Sequence, residues 1–159
     1  LQSGAIDATE WVGPYNDLAF GLYKSAKYYY YPGWHEPATV LDNFINLDAW
    51  NALPDDLKAI VEQANRAVNQ MVLSEFTARN VQALDTLRNK HGVDVRPFSD
   101  DILTNLGKLS GEVLRDLVAS NPLSQEVFES LIAFRTQSIA WSKFSESAFA
   151  QARILPFKY

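Results

Sequence analysis

The chain contains no cysteine, which excludes thiol nucleophiles, disulfides and thiolate metal sites. The compartment stays open, because reducing and oxidising locations both tolerate that absence. Long apolar runs are missing too. None approaches the ~20 residues of a transmembrane helix, and no signal peptide is visible. Lysine and arginine form no cluster, and the formal charge is −5. Nucleic acid is therefore excluded as a partner, since neutralising phosphates requires a basic stripe. Attraction to an anionic membrane surface is excluded on the same ground. An anionic ligand would need local help from backbone amides, an arginine or a cation. There is no nucleophile elbow, phosphate-cradling glycine loop or His-x-x-x-His metal motif.

What is present fits one domain. The 159 residues are 47% apolar and 21% charged, enough to bury a core. Leu1-Gln2-Ser3-Gly4 reads as the end of a helix entering a strand, with Gly4 at the position after the cap. The chain is expected to be a fragment of a longer protein. Chemistry-bearing residues crowd into the first forty positions, in loops rather than helices.

Ala5 to Val12 alternates weakly and ends at Gly13-Pro14, which predicts a strand and a turn. Asn16 or Asp17 is expected to cap a short helix reaching Tyr23 or Ser25. Tyr28 to Tyr31 predicts a strand, because aromatic side chains fit a half-buried pleated surface. A further strand is predicted from Thr39 to Leu47, leading into a turn at Asp48-Ala49-Trp50-Asn51.

From residue 53 onward the pattern is helical. Pro54 suits a first helical position, and Asp55-Asp56 complement the positive end of the dipole. Apolar residues then recur at helical spacing from Leu57 to Leu87, and Gly92 is the expected stop. A helix of that span would be about 55 Å long, so it should kink or span two lobes. Val93 to Pro97 predicts a short edge strand. Ser99 is expected to cap a helix with Ile102, Leu106, Leu109, Val113 and Leu117 on its buried stripe. Asn121-Pro122 breaks it, and one final helix is expected from about Ser124 to Gln151. Its apolar coverage, with Phe134, Trp141, Phe144 and Phe149, is broad enough to suit either its own core or a partner subunit.

Three collinear segments carry a family resemblance. Gly4-Ala5-Ile6-Asp7-Ala8-Thr9-Glu10 resembles the G-x-(I/L/V)-D-(A/G)-x-E stretch of solute-binding proteins from tripartite ATP-independent periplasmic (TRAP) transporters, the DctP-like family. Tyr28 to Pro37 resembles their aromatic run, and Asn46 to Pro54 the segment that opens their long helix. The resemblance covers most of the chain, closest in residues 1–70, and favours the branch binding 2-oxo and hydroxy monocarboxylates with a metal ion. It implies an α/β chain forming the C-terminal part of a two-lobed periplasmic-binding-protein-like fold, mainly α-helical here with a few short strands. Residues 1–53 would form one wall of the cleft and the hinge, 54–92 a lobe-spanning helix, 93–122 a strand and helix, and 123–159 a C-terminal helix able to dimerise. The implied partners are a small organic acid, the TRAP membrane permease subunits, a missing N-terminal half and a second copy of the chain, and the implied location is the periplasm.

Glu10 precedes Gly13-Pro14, where a side chain can enter a cleft, and an ionised oxygen donor suits a hard cation. The resemblance implies that Glu10 is a metal ligand, helped by a backbone carbonyl of Thr9 or Trp11, with sodium or calcium bridging the substrate carboxylate. Trp11 and Trp34 either fill a core or wall a pocket. One of His35 and Glu36 would complete the metal or substrate shell, and Tyr15 and Asn16 are weaker candidates for hydrogen bonds to substrate. Asp7, Asp48, Trp50 and Asn51 read as structural, His91 has no further role, and Arg96, Arg115 and Arg135 stand isolated. The expected function is capture of a small organic acid without chemistry. The alternatives are a helical dimerisation module, or a hydrolase with Glu10 and Glu36 as a carboxylate pair and His35 as acid or base.

Overall fold

The computed structural model describes residues 1–119 and 121–158. The chain divides into two compact units, Leu1–Ser99 and Asp100–Tyr159. The architecture is α/β and mainly helical, with one two-stranded parallel sheet.

In the first unit, helix α1 spans Pro14–Phe20. Asn16 and Asp17 do not cap it, contrary to the sequence expectation. Pro14 takes the first helical position, which starts the helix earlier and leaves Gly13, at φ 152°, as the N-cap. Gly21, at φ 73°, ends α1, and a 3-10 turn follows over Leu22–Lys24. Strand β1, Tyr28–Tyr31, forms where the tyrosine run predicts it. It pairs in parallel with β2, Asp94–Pro97, in the register Tyr28↔Asp94 to Tyr31↔Pro97. Proline ends that ladder because it has no N–H, and the next donor, Phe98 N–H, bonds to Tyr31 O at 2.8 Å.

Residues 5–12 and 39–46 are not strands. Alternation marks a segment that fits a pleated surface, but a strand also needs a neighbour for its backbone groups, and none of the described residues supplies one. Leu47, expected as a strand end, instead starts helix α2, Leu47–Ala52, because Asn46 Oδ1 accepts from Ala49 N–H at 3.0 Å and caps it.

Helix α3 covers Asp55–Asp85 and widens into a π-helical turn over Thr86–Lys90. Gly92, at φ 65°, turns the chain into β2. The small core of this unit sits at that junction. Ala83, Leu87 and Val93 are buried, Leu87 at 2% exposure, and Val93 N–H bonds to Leu87 O across the turn at 3.0 Å.

The second unit holds α4, Asp100–Val118, α5, Pro122–Ser142, and α6, Glu146–Arg153. Asn121 caps α5 by accepting from Leu123 and Ser124 N–H groups at 3.0 and 3.3 Å, with Pro122 at its first position. The single helix expected over 124–151 is interrupted at Lys143–Ser145. There the Ser142 and Ser145 hydroxyls donate to the Ile139 and Trp141 carbonyls, offering the backbone an alternative to the regular ladder. Among the described residues, no helix is long and apolar enough to cross a membrane.

Candidate metal centre

Two loops of the first unit meet at one point. Glu10 lies on the loop that enters α1 and His35-Glu36 on the loop that leaves β1. Each of the three offers one donor atom, and these atoms lie within 4.8 Å of one another on the exposed surface. His35 Nε2 stands 3.7 Å from Glu10 Oε2, too long for a good hydrogen bond. Thr39 Oγ1 donates to Glu36 Oε1 at 3.3 Å, and Thr9 Oγ1 lies 3.5 Å from Glu10 O.

The spacing fits a hard cation. Calcium holds oxygens at about 2.3–2.6 Å, so two donors on opposite sides of one ion stand roughly 4.6–5.2 Å apart. A separation of 4.8 Å or less is therefore compatible with the three donors sharing one ion after small side-chain adjustments. Two carboxylates this close repel when both are ionised, which a cation would relieve. The donor set does not fill a calcium shell of six to eight ligands, so backbone carbonyls, water or ligand oxygens must supply the rest.

Trp11 lies beside this cluster, its ring edge-on to Phe20 with centroids 5.2 Å apart. Thr9, Glu10, Trp11, Phe20 and Leu22 line a shallow pocket of about 130 Å³. That is below the ~300–1,000 Å³ of enclosed ligand sites, so this face alone does not surround a ligand. Trp34 packs tilted against His35, centroids 5.3 Å apart, and stays exposed. A larger open depression, about 240 Å³, is lined by residues 23–27 and 91–93. Its charged residues are Lys24 and Lys27, with His91 stacked on Tyr23 at 3.8 Å, so it lacks the acidic donors a metal needs.

Tyr15 is engaged elsewhere in the fold, whereas Asn16 is not paired among the described residues. Tyr15 N–H donates to Asn80 Oδ1 of α3 at 2.9 Å, and its ring meets Phe76 and the Arg79 guanidinium. Asn16 Oδ1 is buried without a hydrogen-bond partner.

The contacts that hold α1 join residues distant in sequence and are missed by local pattern. Asp17, only 5% exposed, accepts a 2.5 Å hydrogen bond from the Tyr29 hydroxyl of β1. Burial pushes the Asp17 carboxyl above its ordinary value. The Tyr29 phenol and the Gly13 backbone pull it back, and the Glu10 charge adds to the upward push. Burial likewise raises the Tyr29 phenol, and the Asp17 hydrogen bond and charge raise it further. An acidic residue among the helix-forming residues of α1 is the one local sign that could have flagged Asp17.

Comparison with known proteins adds three findings. A family model described as bacterial extracellular solute-binding protein, family 7 (DctP) matches residues 1–121. The chain is 39% identical over 149 residues to a monocarboxylate 2-oxoacid-binding periplasmic protein of Nostoc sp. PCC 7120, covering 94% of this chain but 41% of that one. It superposes with TM-score 0.81 and 31% identity on a crystal structure of a TRAP transporter solute-binding protein from Bordetella bronchiseptica RB50, covering 95% of this chain and 45% of that one. That crystal is a mixed-occupancy dimer, with copurified calcium and picolinate in one active site and the other apo. The chain thus spans under half the length of both relatives.

Proposed function

The chain belongs to family 7 of the bacterial extracellular solute-binding proteins, and from that premise we propose that it forms part of a TRAP transporter subunit that captures a small 2-oxo or hydroxy monocarboxylate in the periplasm through a bound cation. The convergence of Glu10, His35 and Glu36 donors within 4.8 Å carries this reading. The Nostoc relative's name supports the monocarboxylate, and the calcium with picolinate in the Bordetella protein supports the cation. Glu10 and Glu36 would hold sodium or calcium, with a backbone carbonyl of Thr9 or Trp11 beside them, and His35 at the edge of the shell. The cation supplies the positive charge that an acidic protein needs to attract a carboxylate. Trp11 and Trp34 would wall the ligand, and Tyr15 would act through the placement of α1 rather than by direct contact. The bound acid would then pass to the membrane permease, with no bond made or broken.

Calorimetric titration of the full-length protein with pyruvate, 2-oxobutyrate and lactate, before and after chelation, tests this. Binding should appear only with calcium or sodium present, and Glu10→Gln should weaken it about a hundredfold or more, given that loss of even a supporting group costs 10–100-fold. Unchanged affinity in Glu10→Gln would remove the metal assignment, and product formed in a single turnover would favour a carboxylate-pair hydrolase.

A second reading concerns residues 100–158. Phe134 and Trp141 of α5 stay 69% and 66% exposed, and Phe144 and Phe149 beyond them are also exposed. Apolar patches of this kind mark interfaces, which supports a homodimer through the C-terminal helices, and the Bordetella protein is itself a dimer. Molecular mass in solution, with and without residues 123–159, decides it; a monomer unchanged by the truncation would refute the dimer.

A further inference from the structure

The three donors reach one point from two loops that are far apart in sequence, so something must set the distance between the loops. Glu10 stands four residues before α1, and His35 stands four residues after β1. The Asp17–Tyr29 hydrogen bond, 2.5 Å long, ties α1 directly to β1. It is also an expensive tie. Asp17 is 5% exposed, and its second oxygen, Oδ1, is buried without a hydrogen bond of good geometry, the Gly13 backbone being close enough only to offset part of the cost of burial. Burying a carboxylate without full pairing costs stability, and an apolar pair of similar shape would hold a helix on a strand at less cost. What a hydrogen bond adds over an apolar contact is a fixed length and direction. Sites built from several ligands need that, because donors must be held to within about 0.5 Å.

The other end of α1 is already fixed. Its N-cap residue, Gly13, has no side chain to offer, and Asn80 of α3 supplies the missing acceptor to Tyr15 N–H at 2.9 Å. A side chain on Gly13 would itself meet Asn80 Oδ1, at 3.5 Å. With α1 held on α3, the Asp17–Tyr29 bond transmits its position to β1 and the loop that follows. We propose that Asp17 and Tyr29 are a positioning pair that sets the separation between Glu10 and His35-Glu36, and with it the affinity and size selectivity of the cation site. This rests on the reading of those three residues as cation donors.

The test is calcium and magnesium titration of full-length variants, at temperatures well below each variant's Tm. Tyr29→Phe should weaken calcium binding about 10–100-fold, the range seen when groups that orient metal ligands are removed, and should shift the calcium-to-magnesium affinity ratio. Asp17→Asn keeps an acceptor for the phenol and should bind near wild type. The double variant Asp17→Leu/Tyr29→Phe replaces both partners by apolar groups, which restores stability when the pairing is merely adhesive. Its calcium affinity should nonetheless stay low. If Tyr29→Phe does not fold, the double variant decides alone. Wild-type calcium affinity and ratio in the double variant would overturn the positioning role while leaving the cation reading intact, provided Glu10→Gln loses calcium. If Glu10→Gln keeps calcium, the cation reading falls and this proposal with it.

Discussion

Residues 1–99 and residues 100–158 are both mostly helical, yet different contacts hold them. The first unit is fixed by pairs distant in sequence: Tyr29 with Asp17, Tyr15 with Asn80, and the parallel ladder that joins residues 28–31 to 94–97. Among the described residues, the four buried ones, Asp17, Ala83, Leu87 and Val93, all lie in it. The second unit is typified by bonds four residues apart, such as Gln125 to Glu129 and Thr136 to the Ile132 carbonyl. Its large apolar side chains remain substantially exposed. Long-range polar ties fix side chains from separate segments against one another, whereas local ties leave an apolar face exposed. The proposed roles, ligand geometry in the first unit and association in the second, follow that difference.

One pair of substitutions makes that contrast measurable. Leu87→Ala removes a fully buried side chain from the junction of α3 and β2 and should cost about 2–5 kcal/mol, read from denaturant midpoints at unchanged slope. Leu131→Ala acts on a side chain that is 54% exposed and should stay within about 0.5 kcal/mol for the monomer. If α5 is covered in a dimer, the Leu131 cost should grow with protein concentration, because association is linked to stability. Equal costs at the two positions, independent of concentration, would erase the distinction between the units.

How much of this could be read from the residues follows the same division. Signals confined to a few neighbours were legible: Pro54 with Asp55-Asp56 before α3, Gly92 after it, Asn121-Pro122 before α5, and the tyrosines of β1. Fold class was legible for that reason, and through the family resemblance. Glu10, His35 and Glu36 could be singled out by residue type, but their convergence depends on a ladder and a tie that no local pattern encodes. Asn80 and Asp17 were not legible as anchors, because their partners lie 65 and 12 residues away. The strands expected at 5–12 and 39–47 failed because β pattern describes a side-chain surface and does not show whether a partner strand exists. The break in the last helix turned on two serine hydroxyls, a weak competitor that apolar spacing masks.

A smaller effect is expected at the first unit's borrowed cap. Asn80→Ala leaves Tyr15 N–H without its acceptor and should cost about 1 kcal/mol, the usual value of an N-cap. Asn80→Asp retains an acceptor and should recover most of it. Thermal unfolding measures both. Indistinguishable Tm values for the two variants would mean that the contact of Tyr15 with Phe76 and Arg79, and not the cap, holds α1 on α3.

The smallest effect separates two carboxylates within the first unit. Asp17 is buried beside β1 and its carboxyl is raised, whereas Asp94 on β2 is partly exposed and its carboxyl is lowered by hydrogen bonds from Arg96 Nε and Nη2, at 2.9 and 2.5 Å. Linkage gives the two opposite signs. A lowered Asp94 contributes stability that is present above its unfolded value of 3.8 and lost as pH falls through its lower folded value. A raised Asp17 contributes stability that is full below 3.8 and lost as pH rises through its higher folded value. Tyr29, raised from 10.0, shares the Asp17 sign at the alkaline end: stability holds below pH 10 and declines above it. Asp94→Asn should therefore flatten the acid limb of Tm against pH only slightly, and salt should shrink the difference, because exposed pairs are screened. Asp17→Asn should instead flatten the loss on the higher-pH side of 3.8, and salt should affect it less. If both substitutions move the same limb, the partly exposed and the buried carboxylate are not electrostatically distinct. The polar ties of the first unit would then differ from those of the second only in sequence separation, not in burial.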